Sequence, residues 1–482
     1  MVPATRLSDV PYIMITDAYK YGHAPMFPEG STKTSYYLEA RAGIYPETLW
    51  VGLQALLKEY LSKPVTMEWV EYADLHCKLK GLYFPRDLWE QVVTKYGGFP
   101  PIKIRALREG SIVPLKVPLM VVESTDKDFI AIPGFLETLL ENVWHPTCIG
   151  TISMTCRNVN RHYLEKTSVD WESHLLFMTH DFGARSSTSP HSSGLGGFAH
   201  AVPFRGSDTE MADMVAEIHY GHKASEGKVA TFSVVASEHS PTIAWTREKE
   251  HDFYDHIINY FILERGYKLI SIVADSYDID EAIVYLATKK DLFEHYGAKL
   301  VIRPDTGEPV EMALRCLNAM KELFGYTINP KGYVEIKNAG ILYGDQVRTP
   351  MVQRNILEAI TNAGFSAKTI VFGMGSGLSQ SMERDTLGVA YKLSAIIVNG
   401  EARLTFKQPK DAPFKKSKKG FLDVIRDIHG NYQVIEDSAT PGEFVGSELV
   451  TVYENGKFFN ETTLEKIRER FESEERRLGW LK

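Results

Sequence analysis

Seven short apolar runs in the middle of this chain each end in a small cluster of polar, acidic or glycine residues. LLFM runs into THDFGARSS (175–187), VPF into RGSDTE (202–210) and FSVVA into SEHS (232–240). LISIVA runs into DSYD (269–278), LVI into RPDTGEP (300–309), GIL into YGDQ (340–346) and TIVF into GMGSG (369–377). The landmarks Asp208, His239, Asp278, Asp305, Asp345 and Gly375 recur at the spacing of βα units, which take about 30 or more residues each. Chemistry repeated at the C-terminal ends of strands is what an α/β barrel requires, because its loops converge on one face. The pattern describes an enzyme.

Helical patterns fill the intervals. Residues 311–325 place Met312, Leu314, Leu317, Met320 and Leu323 on one side and stop at Gly325. Thr349 and Pro350 open a second helix that ends at Gly364, and 279–297 reads as a third, stopped by Gly297. Strand, loop and helix therefore alternate from 175 to 390, which predicts a largely parallel sheet. The flanks differ. Residues 102–125 alternate and carry Gly and Pro, as antiparallel strands do, and strand-like stretches return after 390. The expected organisation is an α/β barrel-like catalytic domain at 175–390. It interrupts a β-rich domain built from 1–174 and 391–482.

Composition narrows the function. The 482 residues are 44% hydrophobic, enough for a large core, and the net charge of −8 argues against nucleic acid or an anionic membrane as partner. No apolar run reaches the roughly 18 residues of a membrane span, and the start lacks a signal-peptide core. Cys77, Cys148, Cys156 and Cys316 show no metal or disulfide spacing and read as thiols of a reducing cytoplasm.

Each motif has a plain reading beside a functional one. Arg303 and Asp305 place a cation and a carboxylate in one loop, suited to a sugar hydroxyl or a metal-bound phosphate, or they belong to an ordinary Asp-Thr-Gly turn. GMGSG offers backbone N–H groups to a phosphate, or is a flexible βα turn, and YGDQ carries the same alternatives. His239 in SEHS could ligate a metal, act as a base or accept a phosphoryl group, although most of the 15 histidines have no such task. His219 with His222, and HDFYDH (251–256), read as solvated faces. The basic run FKKSKKG (414–420), with Lys407 and Lys410 before it, suits a phosphorylated small molecule or is a solvated loop.

Taken together, TDAYKYGH (16–23), SYYLEAR (35–41), HDFGARSS, RGSDT, SEHS, ADSYDI (274–279), RPDTGEP, YGDQ, FGMGSG, ERD (383–385) and the late SKKG resemble the nicotinamide phosphoribosyltransferases, of the type II phosphoribosyltransferase fold. The resemblance runs nearly end to end. It implies joining nicotinamide to phosphoribosyl pyrophosphate, with ATP as co-substrate through a phosphorylated His239 oriented by Asp278. It implies Phe182 stacked on the pyridine, Tyr19 of a neighbouring subunit on the other face, and Asp208 on the carboxamide. Arg303 and Asp305 would hold base and ribose, and Gly344, Asp345, Gly375 and Ser376 the ribose 5-phosphate. Arg41, Arg185, Arg384, Lys392, Lys407 and Lys415 would surround the polyphosphates. Mg²⁺ would arrive with the phosphates, with Asp305 as its candidate protein ligand, and the site would be completed in a homodimer. Two positions depart from that pattern: Ser376 stands for a third consecutive glycine, and Ala274 for a serine.

The nearest rival is a nicotinate phosphoribosyltransferase of the same fold. A metal-dependent barrel hydrolase or aldolase would need a zinc cluster or a strand-end lysine, and the strand ends offer no lysine. A scaffold protein would not need charged residues at seven strand ends.

Overall fold

The computed structural model describes residues 2–411 and 416–481. Lys415, one of the expected phosphate-binding cations, lies outside them. The chain forms two compact units: a barrel unit of residues 152–214 and 223–382, and an antiparallel unit of residues 1–151, 215–222 and 383–482.

Six strands form the sheet of the barrel unit: β1 (Thr179–Asp181), β2 (Val235–Ala236), β3 (Leu269–Val273), β4 (Lys299–Arg303), β5 (Ala339–Tyr343) and β6 (Ile370–Met374). Their order is β1-β6-β5-β4-β3-β2, and every neighbouring pair is parallel. Two isolated parallel bridges, Asp181 with Ser207 and Gly206 with Phe232, carry the ladder from β1 back towards the segment that leads into β2. The sheet is thereby curled nearly into a ring. Ile270, Ile272, Leu300, Ile302, Ile341 and Phe372 are buried along its strands, so the apolar runs are apolar because they fill the centre of the unit.

Two expectations are corrected in detail. VPF (202–204) is a turn after the helix Pro190–His200, and only Gly206 and Ser207 reach the ladder. The helix expected over 279–297 is two, Ile279–Ala287 and Lys290–His295, because Thr288 and Lys289 bond back three residues and tighten the turn. The helix Pro309–Phe324 starts where Glu308 accepts from the Glu311 N–H and ends at Gly325, whose φ of +81° suits only glycine. Pro350–Asn362 starts after Thr349, whose side chain makes no cap bond.

In the antiparallel unit, seven strands run in the order Glu401–Leu404, Ala390–Val398, Ser31–Glu39, Pro118–Ser124, Ile102–Ala106, Val450–Glu454 and Lys457–Phe458. All pairs are antiparallel, and the three N-terminal strands lie together in the middle of the sheet with a pair of C-terminal strands on either side. The units divide at 151 and 382, with 215–222 in the antiparallel unit. The first division falls inside the helix Trp144–Thr167, because its later turns pack on the barrel: Ser153 bonds His200 at 2.9 Å and Asn160 donates to Thr179 at 2.9 Å. His222 corrects another expectation. It is buried, with Nδ1 3.1 Å from Glu465, rather than on a solvated face.

Candidate active site

A cleft of about 530 Å³ opens at the C-terminal ends of β1, β4, β5 and β6. Phe182, Arg185 and Asp208 line one side, Arg303 and Asp305 another, and Gly344, Asp345, Gly375 and Ser376 a third. These loops were separated in sequence by up to two hundred residues, and parallel pairing alone brings them together.

Phe182 follows β1, and its ring lies across Gly373 of β6. A Cβ on Gly373 would sit 2.3 Å from the ring, so any other residue there would displace Phe182. The Arg303 guanidinium stands 5.3 Å from the centre of the same ring, a cation–π arrangement. Arg303 Nη2 reaches both oxygens of Asp305, at 3.1 and 3.0 Å. Its Nε is buried and has no partner among the described residues. Arg185 is largely exposed and only loosely paired with Glu238, at 3.7 Å, which leaves its charge available to a ligand.

The carboxylate that faces His239 is Asp275. His239 Nε2 lies 3.2 Å from Asp275 Oδ1, and Oδ2 accepts from the Asp305 N–H at 2.8 Å and the Thr306 hydroxyl at 2.9 Å. Asp278, to which the sequence reading gave this role, instead caps the helix Ile279–Ala287, accepting from the N–H groups of Asp280 and Glu281 at 2.9 and 3.2 Å. The physical reason is position. Asp275 leaves the end of β3 pointing at the site, whereas Asp278 already occupies the helix N-cap. The SEHS loop is held by the Ser237 hydroxyl, which accepts from the Val273 N–H at 2.9 Å.

Asp208 is exposed and accepts from the Ser233 hydroxyl, while its own N–H donates to Asp181 O at 2.9 Å. Behind it lies a buried polar layer that sequence reasoning missed. Asp181 is buried, its carboxyl pushed up to about 6 by burial, and it accepts from the Gly183 N–H at 2.7 Å, fixing the turn that carries Phe182. His180 and His200 are held down to about 4, again by burial. HDFG betrayed none of this, since a buried and an exposed aspartate look alike in sequence. On the far side, Gln346 Nε2 and the Tyr343 hydroxyl both donate to Gly307 O at 3.2 Å, tying the β5 loop to the β4 loop. Gly377 lies so close to Arg348 that a Cβ would stand 2.3 Å from its Cα.

The remaining expected residues lie in the antiparallel unit. Tyr19 is 61% exposed, and its hydroxyl donates to Asp17 at 3.3 Å. With Glu141, Trp144 and Arg384 it lines a depression of about 200 Å³, where Arg384 stands 3.5 Å from Glu141. Burial lowers the Lys392 ammonium, Glu137 and Glu141 oppose that, and the charges of Arg41 and Lys407 lower it further. Arg41, Lys392 and Lys407 therefore form one group of cations. In the basic run, Lys418 is paired with the buried Glu39 at 2.9 Å instead of lying in solvent. Among the described residues no cluster of three or more His, Cys, Asp or Glu could hold a metal by itself.

A curled parallel sheet with glycine-containing polar loops at its strand ends, in a chain that also has an antiparallel unit made from its N- and C-terminal parts, defines a type II phosphoribosyltransferase fold. Two solved structures share it: nicotinate-nucleotide pyrophosphorylase from Pyrococcus furiosus and human nicotinic acid phosphoribosyltransferase. The first has a TM-score of 0.61 at 14% identity, covering 100% of this chain and 99% of that one. The second has 0.56 at 13%, covering 96% and 94%. In sequence, residues 177–475 match the nicotinate phosphoribosyltransferase (NAPRTase) family, and the chain belongs to it. Residues 12–104 match the nicotinamide phosphoribosyltransferase N-terminal domain. A nicotinamide phosphoribosyltransferase of Xanthomonas campestris is 39% identical over 95% of this chain and 97% of its own. One of Acinetobacter baylyi is 32% identical over 77% and 76%. Among the described residues no helix is long and apolar enough to cross a membrane.

Proposed function

We propose that this chain transfers the phosphoribosyl group of phosphoribosyl pyrophosphate to nicotinamide, as enzymes of NAD salvage do. The ring nitrogen of nicotinamide forms a bond to the anomeric carbon as the bond from that carbon to pyrophosphate breaks, the electron pair leaving with pyrophosphate. The products are nicotinamide mononucleotide and pyrophosphate. The observation that carries this reading is Asp208, an exposed carboxylate in the cleft that holds Phe182. A carboxylate accepts from the two N–H donors of a carboxamide and repels the carboxylate of nicotinate. The names of relatives aligned over 95% and 77% of the chain support the same substrate.

Phe182 offers a flat face to the pyridine, and Arg303, locked on Asp305 and over the same ring, holds base and ribose from the cleft wall. The loops of Gly344–Asp345 and Gly375–Ser376 cradle the 5-phosphate, and Arg185 meets the pyrophosphate whose charge grows as the bond breaks. His239 is the acceptor of the γ-phosphoryl group of ATP. The terminal P–O bond breaks to release ADP, a P–N bond forms on the ring, and water later hydrolyses it to phosphate. Held through Nε2–H by Asp275, the ring presents Nδ1 to that group.

The donor set fits Mg²⁺, which keeps several waters and needs one or two carboxylates besides substrate phosphates. Asp305 would hold it, and when bound it would neutralise phosphate charge. Tyr19, Arg41, Arg384, Lys392 and Lys407 serve the site of a partner subunit in a homodimer, which accounts for the exposed ring of Tyr19 and for cations gathered at the cost of mutual repulsion. The four thiols are free and buried, and we place the protein in the cytoplasm.

The test supplies phosphoribosyl pyrophosphate with nicotinamide or nicotinate, with and without ATP, and identifies the product by mass. Nicotinamide mononucleotide, made faster with ATP, is expected. Formation of the nicotinate nucleotide alone would overturn the assignment in favour of the rival.

A further inference from the structure

The antiparallel unit contains a second cavity, of about 210 Å³, which the proposed reaction does not use. Its floor is apolar: Leu53 and Leu57 from the helix Leu53–Leu61, Leu107, Val452, and the half-exposed Phe459. Three cations face it. Arg108 follows the strand Ile102–Ala106, and Lys466 and Arg470 stand one turn apart on the helix Leu464–Arg477.

The carboxylates at this cavity are already committed. Glu109 is buried and accepts from the N–H groups of Gly52 and Gln54, at 2.8 and 2.6 Å, and from the Tyr220 hydroxyl at 2.9 Å. Glu461 is paired with Lys58. Arg470 spends one N–H on Glu109 O at 2.6 Å, and among the described residues none of the three cations forms an ion pair with a carboxylate. Burial and the charge of Arg108 work against the Arg470 guanidinium, and Tyr432, Glu109 and Glu474 offset this only in part, leaving it lowered. Two like charges are thus held together beside an apolar floor, an arrangement that a bound anion relieves.

The walls are also fixed in advance. The Gln54 side chain donates to His219 O at 2.6 Å and Thr462 O at 3.0 Å, and accepts from the Thr462 N–H at 2.7 Å, so it clasps the loop that closes one side. On that loop the Thr462 hydroxyl is buried and has no partner among the described residues, although an oxygen acceptor would satisfy it. A rigid apolar floor with convergent polar groups is what small-molecule sites have in common.

We propose that this cavity binds a small organic anion with a flat apolar body, an aryl carboxylate or aryl phosphate, with the acid group on Arg108, Lys466 and Arg470. The site shares no lining residue with the barrel cleft, and no glycine lines it.

The experiment titrates the full-length protein with benzoate and phenyl phosphate by calorimetry. Benzamide is the neutral control and inorganic phosphate the control without an apolar body. Each titration is repeated in Phe182→Ala, which removes the ring from the barrel cleft. Arg108→Gln and Lys466→Gln alter exposed side chains, and thermal melts confirm that their fold is intact. Phenyl phosphate binding should persist in Phe182→Ala and weaken about tenfold or more in each cation variant. Benzamide and inorganic phosphate should each bind at least about tenfold more weakly than phenyl phosphate. Binding that disappears in Phe182→Ala, or that is unchanged in Arg108→Gln and Lys466→Gln, would overturn the site. Inorganic phosphate binding as tightly as phenyl phosphate would overturn the ligand class.

Discussion

Asp275 holds His239 with one oxygen and the β4 loop with the other, accepting from the Asp305 N–H and the Thr306 hydroxyl. The carboxylate is almost fully buried, while the imidazole is nearly half exposed. A single side chain thus sets both the orientation of the candidate phosphoryl acceptor and the position of the Arg303–Asp305 pair.

Replacing Asp275 by Asn should therefore reduce ATP-coupled synthesis by about a hundredfold or more, an amide being unable to steady the imidazolium as a carboxylate does. His239→Ala should abolish ATP hydrolysis and leave weak, ATP-independent synthesis. Asp278→Ala should lower stability by about 1 kcal/mol through the lost cap and leave kcat nearly unchanged. Steady-state assays with urea unfolding separate the three. Loss of coupling in Asp278→Ala with full coupling in Asp275→Asn would reverse the assignment.

Base selectivity rests on Asp208. Two like charges about 4 Å apart in a partly screened site repel by about 4 kcal/mol, and the exposure of Asp208 reduces this. A third of that figure still gives roughly tenfold discrimination. Asp208→Asn should cut the preference in kcat/KM for nicotinamide over nicotinate by about tenfold, chiefly by admitting nicotinate once the like charge is gone. A variant that keeps the wild-type ratio would show that Asp208 serves only its bond to Ser233.

The shared-site arrangement predicts complementation. Tyr19→Ala with Arg41→Ala on one chain, mixed with His239→Ala on another, should restore part of the ATP-coupled rate as hybrids form. Subunit exchange is followed by native mass spectrometry. Exchange without recovered activity counts against a partner's contribution.

Acid should loosen the barrel unit. His180 and His200, buried and held down to about 4, must charge on unfolding, where their value is 6.5. Their stabilisation is complete above pH 6.5 and is lost as the pH falls towards 4. Asp181, raised to about 6 from 3.8, acts oppositely, favouring the folded state at lower pH across that window. Two histidines outweigh one aspartate, so the urea midpoint should fall between pH 7 and 5. Asp181→Asn should steepen the fall, because it removes the opposing group.

The sequence shows the barrel through its rhythm: five of the seven apolar runs carry strands, with their polar clusters at the strand ends, whereas LLFM and VPF are turn segments that lead into ladder residues of their own clusters. Where rhythm decides nothing, reading failed. Asp275 and Asp278 share one tetrapeptide, and only the helix start distinguishes them. The acid pair Asp280–Glu281 after Ile279 was the available sign that Asp278 is a cap. Asp181 escaped notice because its burial comes from packing between loops distant in the chain. His222 escaped because its partner, Glu465, is more than two hundred residues away. The split of helix 279–297 has no Gly or Pro to announce it.

The flanking of N-terminal strands by C-terminal ones in the antiparallel sheet sets a timetable for biosynthesis. Ser31–Glu39 lies between Pro118–Ser124 and Ala390–Val398, so one of its edges finds no partner until roughly 350 further residues have been made, on the order of twenty seconds to a minute of translation. The barrel segments emerge complete in the meantime. During that interval the nascent chain carries an open strand edge of the kind that pairs with other chains, so the antiparallel unit, rather than the barrel, is the one exposed longest to misassembly.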